Sequence, residues 1–408
     1  MATKDHFLIP KRYNSISLLL MGLGLVSVVI LLFTHGLSSD PKESARFWAS
    51  LLQNSVYFLL VVNAAMFFVA ATTLAWGSWH VTFKKVPEAI SACVPVIGII
   101  TGIILMVLVF GGNHEIYHWT DSEHVKHDAT LLHKSGFLSK TFFTVWTLLS
   151  LIGWWFLGKK MRDISRQADE RPMTLEEGKK YIWKNTVWSA SFLAFFGLTV
   201  MSTVPWLWLM SIDAHWYSTM YSWYTFASSF VAGIALITLY VVFLKNNGYL
   251  EYTNDEHLHD LGKFMFAFSI FWTYLWYSQF MLIWYANIPE ETTYFEPRMQ
   301  GVYRGVFLLN LVINFLAPLL ILMTRRAKRN YGTITMMAVL IIFGHWLDFF
   351  QMVHPGPSRY HVPFMLVDLG IALGFVGIIM FVTGRTLAKS PLVSKYHPFL
   401  KESIIHHT

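Results

Sequence analysis

Apolar runs separated by short polar linkers govern this chain from one end to the other. Ten runs stand out, at residues 16–34, 47–76, 89–111, 141–158, 183–210, 219–244, 264–286, 302–324, 333–353 and 362–384. At about 1.5 Å per helical residue, each approaches or exceeds a hydrocarbon layer of about 30 Å. The pattern predicts an all-α integral membrane protein of ten transmembrane helices, with residues 1–408 forming one polytopic domain. Spans two to five and six to nine fit two four-helix bundles in the same orientation, flanked by spans one and ten. The first run is too long for the apolar region of a cleavable signal, and no small-x-small site follows it.

The stretch 255–291, DEHLHDLGKFMFAFSIFWTYLWYSQFMLIWYANIPEE, organises the reading. At 100° per residue, Glu256, Asp260, Lys263, Tyr274, Tyr277 and Tyr285 fall within about 100° of arc on one helix face. Such a stripe offers a proton path, with His257 and His259 beside its entry. Between Lys263 and Tyr274 it holds only Ala267 and Ile270, an apolar gap of about 16 Å. The competing reading makes the hydroxyls interhelical hydrogen-bonding groups.

Charge placement gives the orientation. Of 31 Lys and Arg residues, 23 fall in the linkers on one side: Lys4, Lys11, Arg12, Lys84, Lys85, the run from Lys159 to Lys184, Lys245, Lys263, Arg325 to Arg329, Arg385, Lys389, Lys395 and Lys401. The other eight are Lys42, Arg46, Lys126, Lys134, Lys140, Arg298, Arg304 and Arg359. The positive-inside rule then puts both termini in the cytoplasm. The net charge of +7 is therefore topology and not a nucleic-acid footprint. Only 13% of residues are charged, about half the soluble norm.

One cysteine, Cys93, excludes an internal disulfide, an iron–sulfur cluster and covalent haem attachment on this chain. Histidines inside the spans reduce to His345, with His80 and His354 at the edges, which argues against bis-histidine haem and haem–copper chemistry. The loop histidines 114, 118, 124, 127 and 133 lie among acids and lysines, and no metal site is expected there. The C-terminal tail, with His397, His406 and His407, reads as a solvated end.

Ionisable groups inside a bilayer cost several kcal/mol unless partnered, so they are functional candidates. His345 and Asp348 share a face of span nine, Asp368 lies near the start of span ten, and Asp213 lies in the short external turn SIDAHW. They are candidates for an external-side quinol site, where a histidine and a carboxylate could accept protons; the competing readings are a structural His345–Asp348 pair and a turn or cap role for Asp213. Asn310 and Asn314, one turn apart in span eight, are interhelical glue or further members of a proton path. Asn54 and Asn63 of span two lie on opposite faces and read as independent glue.

Three blocks carry a family resemblance: SIDAHWYSTMYSWYTFASSFVAG (211–233), DLGKFMFAFSIFWTYLWYSQFMLIWYANIPEE (260–291) and GHWLDFFQMVHPG (344–356). They resemble the NrfD/PsrC-like membrane subunits, above all the smaller such subunit of bacterial alternative complex III, a quinol:electron acceptor oxidoreductase. The resemblance implies a respiratory complex in which multihaem and monohaem cytochrome c subunits, an iron–sulfur subunit and a larger NrfD-like subunit surround this chain. A terminal oxidase is a further partner, and lipids surround the whole. Haem c and iron–sulfur clusters would then sit on the partners, with quinol the one cofactor this chain could meet. A structural and proton-conducting role is the leading expectation; a self-sufficient quinol-binding subunit and a secondary transporter are the rivals.

Overall fold

The computed structural model describes residues 5–357 and 366–407, and no strand occurs among them. Ten long helices carry the chain: α1 (Lys11–Gly36), α2 (Pro41–Leu74), α3 (Lys85–Phe110), α4 (Lys140–Glu170), α5 (Leu175–Trp208), α6 (Met220–Asn246), α7 (Asp255–Ala286), α8 (Tyr303–Ile321), α9 (Tyr331–Val353) and α10 (Leu366–Leu387). Among the described residues, nine of these are long and apolar enough to cross a membrane; the exception is α7. Its 32 residues span about 48 Å, but Trp272, Tyr274, Trp276, Tyr277 and Gln279 make it more polar than the rest. The expected start of span ten at 362, and Arg359, lie outside the described residues.

Local sequence sets the helix ends. The Asp40 carboxylate accepts the Lys42 amide at 3.0 Å, and Pro41 follows at the first helical position of α2. Asn254 caps α7 by accepting the Glu256 and His257 amides, and Asn287 ends it with a left-handed φ of 49°. The basic linker expected over 159–184 is mostly helix. α4 continues to Glu170 because no Gly or Pro follows Gly158 before Pro172, and α5 opens on a Thr174–Glu177 capping box. Two π-helical turns, Thr199–Thr203 and Val312–Leu316, directly precede Pro205 and Pro318. Each proline lacks an N–H and crowds the carbonyl four residues back, so the ladder widens there.

α2 and α6 form the buried centre. α2 packs on α3, α5, α6, α9 and α10, while α6 also takes α7 and α9. α3 meets α4, α4 meets α5, and α8 packs on α7 and α9. The outer flank is α1 against α10, where glycines bring two backbones together. A Cβ on Gly24 would stand 2.3 Å from the Gly374 Cα, and one on Gly377 2.7 Å from the Met21 nitrogen. The remaining face of α1 exposes Leu18, Leu19, Leu25 and Val26, an apolar surface suited to lipid.

Side-chain contacts sort the linkers between two ends. At the basic end, Asp5 meets Lys395, Lys85 meets Asp169, and Glu256 meets Arg329. At the opposite end, Arg46 meets Asp368, Asp213 meets Arg298, and Asp128 meets His215. The expectation of a solvated C-terminal tail fails. The helix Leu400–Ile404 docks on the Trp79–Phe83 turn through Ser403, whose hydroxyl donates to the Trp79 carbonyl at 2.8 Å, and His406 reaches Asp260 at 2.7 Å.

Candidate functional site

Asp348 lies fully buried on α9, where α6 and α7 converge on it. Tyr224 of α6 donates to one carboxylate oxygen; Ser228 of α6 and Trp272 of α7 donate to the other at 2.8 and 2.9 Å. Neutral donors thus stabilise the carboxylate without an arginine or lysine in contact. His345, one turn earlier, stands 3.9 Å from the carboxylate and touches the Ser228 hydroxyl at 2.9 Å through Nδ1. Ser228 has one proton and gives it to Asp348, so the neutral imidazole must donate from Nδ1. That tautomer leaves Nε2 as a buried acceptor with no protein partner. The expected His345–Asp348 pair is therefore present, with a serine between its members.

Asp348 opens into a small pocket toward the end opposite the basic linkers. Trp276, Tyr294, Phe295 and Phe307 form its aromatic walls, and Gln279, Asn310, Arg298, Gln351 and Tyr224 supply polar groups. Aromatic walls with several convergent polar groups can orient a small aromatic or quinoid molecule by hydrogen bonds. Arg298 is held rigidly. Its Nε donates to the Gln351 carbonyl at 2.8 Å, Nη1 to the Tyr294 carbonyl, and Nη2 to the Met352 carbonyl at 3.2 Å. The guanidinium also lies 3.4 Å over the Tyr294 ring, which stacks on Trp216.

Asp213 joins this region indirectly, by accepting from Arg298 Nη2 at 3.2 Å. Asp368, also a quinol-site candidate, does not join it, which corrects that placement. It pairs instead with the buried Arg46 and accepts from Ser50 at 2.7 Å, on the α2 side of α9. His354 extends that second network from Arg46 to Gln53, and Gln53 donates to the Trp346 carbonyl. α9 carries both networks on different faces.

The proton-path residues divide. At the basic end, Glu256 binds Arg329 at 2.6 Å, and Asp260 binds Lys263 at 2.6 Å and His406 at 2.7 Å. His259 lies 3.8 Å from Asp260, and His257 contacts Asn254 and the Ser403 carbonyl. Tyr274 and Tyr277 face outward, 65% and 54% exposed, so the polar stripe of α7 is not an internal conduit. The inward face has its own gap. Nine residues separate Asp260 from Ser269, about 13.5 Å filled by Leu261, Phe264, Met265 and Phe268.

Asn310 lines the pocket, and the Asn314 amide donates to it at 3.4 Å. Asn54 accepts from Trp346, whereas Asn63 is buried with neither amide atom partnered. Among the described residues, no three His, Cys, Asp or Glu side chains converge as a metal site. Sequence reasoning missed Arg46, Arg298, Tyr224, Ser228 and Trp272. The signal for the two arginines was their position among the few basic residues at the less basic end, each able to face a nearby buried acid.

No family model matches this chain, and no curated protein matches it significantly.

Proposed function

We propose that this chain is a membrane subunit of a quinol:electron acceptor oxidoreductase of the alternative complex III kind, in the bacterial cytoplasmic membrane. In this reading the chain crosses ten times, α7 included, with both termini cytoplasmic. α2–α5 and α6–α9 are its two four-helix groups, and α1 with α10 flanks them. The alternation of Lys and Arg between linkers and the pairwise packing of the helices support that arrangement. Haem c and iron–sulfur clusters belong to the partner subunits.

The observation that carries the reading is the Asp348 carboxylate beside a pocket with aromatic walls, linked through Ser228 to Nδ1 of His345, whose Nε2 has no partner among the described residues. A quinol gives up two protons and two electrons. The electrons leave to a partner's cofactor, and the protons need bases within hydrogen-bond reach. Asp348 takes one proton at the pocket; the base for the second is His345 Nε2, whose protonation leaves Nδ1–H still donating to Ser228. The transporter reading draws on the proline-broken α5 and α8, since interrupted helices bind substrates in that class.

One experiment separates the two: isolate the chain from native membranes in mild detergent and record the eluate's polypeptides and visible spectrum. Stoichiometric c-type haem bands with an iron–sulfur subunit are expected. A colourless, monodisperse single polypeptide that carries solute flux in liposomes would overturn the proposal.

A further inference from the structure

The pocket between α3, α4 and α10 at the basic end has a charge count that does not close. Lys84 and Lys85 face Glu88 at 3.7 Å each, and Lys85 also holds Asp169 at 2.7 Å. Two cations meet two carboxylates there, all four largely buried, so that group is neutral. Arg162 stands beside it with no carboxylate in ion-pair reach among the described residues. Its guanidinium folds back over Gly158, where a Cβ would lie 3.4 Å from Nη1, and donates only to the Ser91 hydroxyl at 2.8 Å. Arg166 lies one turn further on, over half exposed and 3.4 Å from Asp163. Arg162, Arg166, Lys85, Thr386 and Ser390 line a small pocket open to the surface, together with Glu88, whose charge the two lysines offset.

Depth points to the occupant. Arg162 lies 22 residues beyond Lys140, the first residue of α4, about 33 Å along the helix and hence at the bilayer surface. One turn nearer the bilayer, Lys159 lies over Trp155 and Lys160 over Phe156, and Arg385 of α10 lies over Phe381. Such aromatic and basic pairs mark the level of headgroups. A basic pocket between helices at that level suits a phosphate anion.

We propose that this pocket binds the phosphate of an anionic phospholipid, with Arg162 and Arg166 on the phosphate oxygens and Ser390 and Thr386 at the rim. The test is native mass spectrometry of the full chain in mild detergent after delipidation and titration with phosphatidylglycerol or phosphatidylcholine. Phosphatidylglycerol is expected to be retained at least about fivefold better, and Arg162→Gln to remove that preference. Because Arg162→Gln also loses the Ser91 contact, Ser390→Glu provides a second variant with Arg162 intact, and it too should abolish the preference. Equal retention of the two lipids, or unchanged preference in either variant, overturns the proposal. Displacement of the bound lipid by millimolar inorganic phosphate would overturn the lipid assignment in favour of a soluble anion.

Discussion

His345 and Asp348 occupy one face of α9, yet the contact between them runs through the Ser228 hydroxyl of α6. The relay is thus shared by two helices, and either partner can be altered without moving the other's backbone. Asp348→Asn keeps the shape but removes the acceptor, so quinol oxidation by the assembled complex should fall about 100-fold or more with haem content unchanged. Ser228→Ala, which removes the link to His345 and one of the three donors to the carboxylate but keeps the carboxylate itself, should give a smaller loss. If Asp348→Asn and Asp260→Asn both leave turnover and proton release intact, neither carboxylate handles protons.

Arg46 and Asp368 form the buried ion pair of the second network. Removing one partner strands the other charge, so Arg46→Met should cost about 3–5 kcal/mol, while Arg46→Met with Asp368→Leu should recover most of it. Thermal unfolding of the three proteins in one detergent measures this. Equal destabilisation by the single and the double variant would show that the pair does not act as a unit.

Gly344 is fixed by its neighbour across the α8–α9 contact. A Cβ there would stand 2.1 Å from Asn314 Oδ1 and 2.5 Å from Ile313 Cγ2. Gly344→Ala should therefore destabilise by about 1–3 kcal/mol despite alanine's better helix propensity. Adding Asn314→Ala should return part of that loss. A Gly344→Ala protein as stable as the parent would mean that the π turn at Val312–Leu316 moves freely.

His80 lies buried in the turn between α2 and α3. Burial, and secondarily the Lys84 cation, push its pKa down to about 3. The unfolded chain protonates this imidazole below about pH 6.5 and the folded chain does not, so stability falls as pH drops from about 6.5 toward 3. From pH 6.5 to 5 the loss is roughly 2 kcal/mol. The stability of the parent relative to His80→Gln, read from melting curves, should fall by about that amount between pH 6.5 and 5 and stay constant above pH 7.

The helices were legible from hydropathy because a bilayer demands long apolar runs, and even the ends of α2 and α7 carried their capping residues in the sequence. The site was half legible. His345 and Asp348 stand at helical spacing on one strand of sequence, so their proximity follows from geometry alone. Asp368 was misassigned because depth in the membrane says nothing about which face of α9 a residue meets. Only the packing of α10 beside α2 reveals Arg46 as its partner. Tyr274 and Tyr277 share a helix face with Asp260, and periodicity finds that face without telling whether it looks inward. Trp272 and Tyr224 were hidden among many aromatics, the commonest residues of membrane interfaces.

The glycine contact between α1 and α10 also bears on how the chain is made. Gly24 and Gly374 are 350 positions apart. At about 5–20 residues per second, a ribosome needs roughly twenty seconds to over a minute to travel from one to the other. Throughout that interval α1 is already in the bilayer with the face around Gly24 uncovered by α10, held there by side-chain hydrophobicity and not by that partner. Its lateral docking is then among the last events of biogenesis, and it can occur only if every intervening helix has entered in the correct direction.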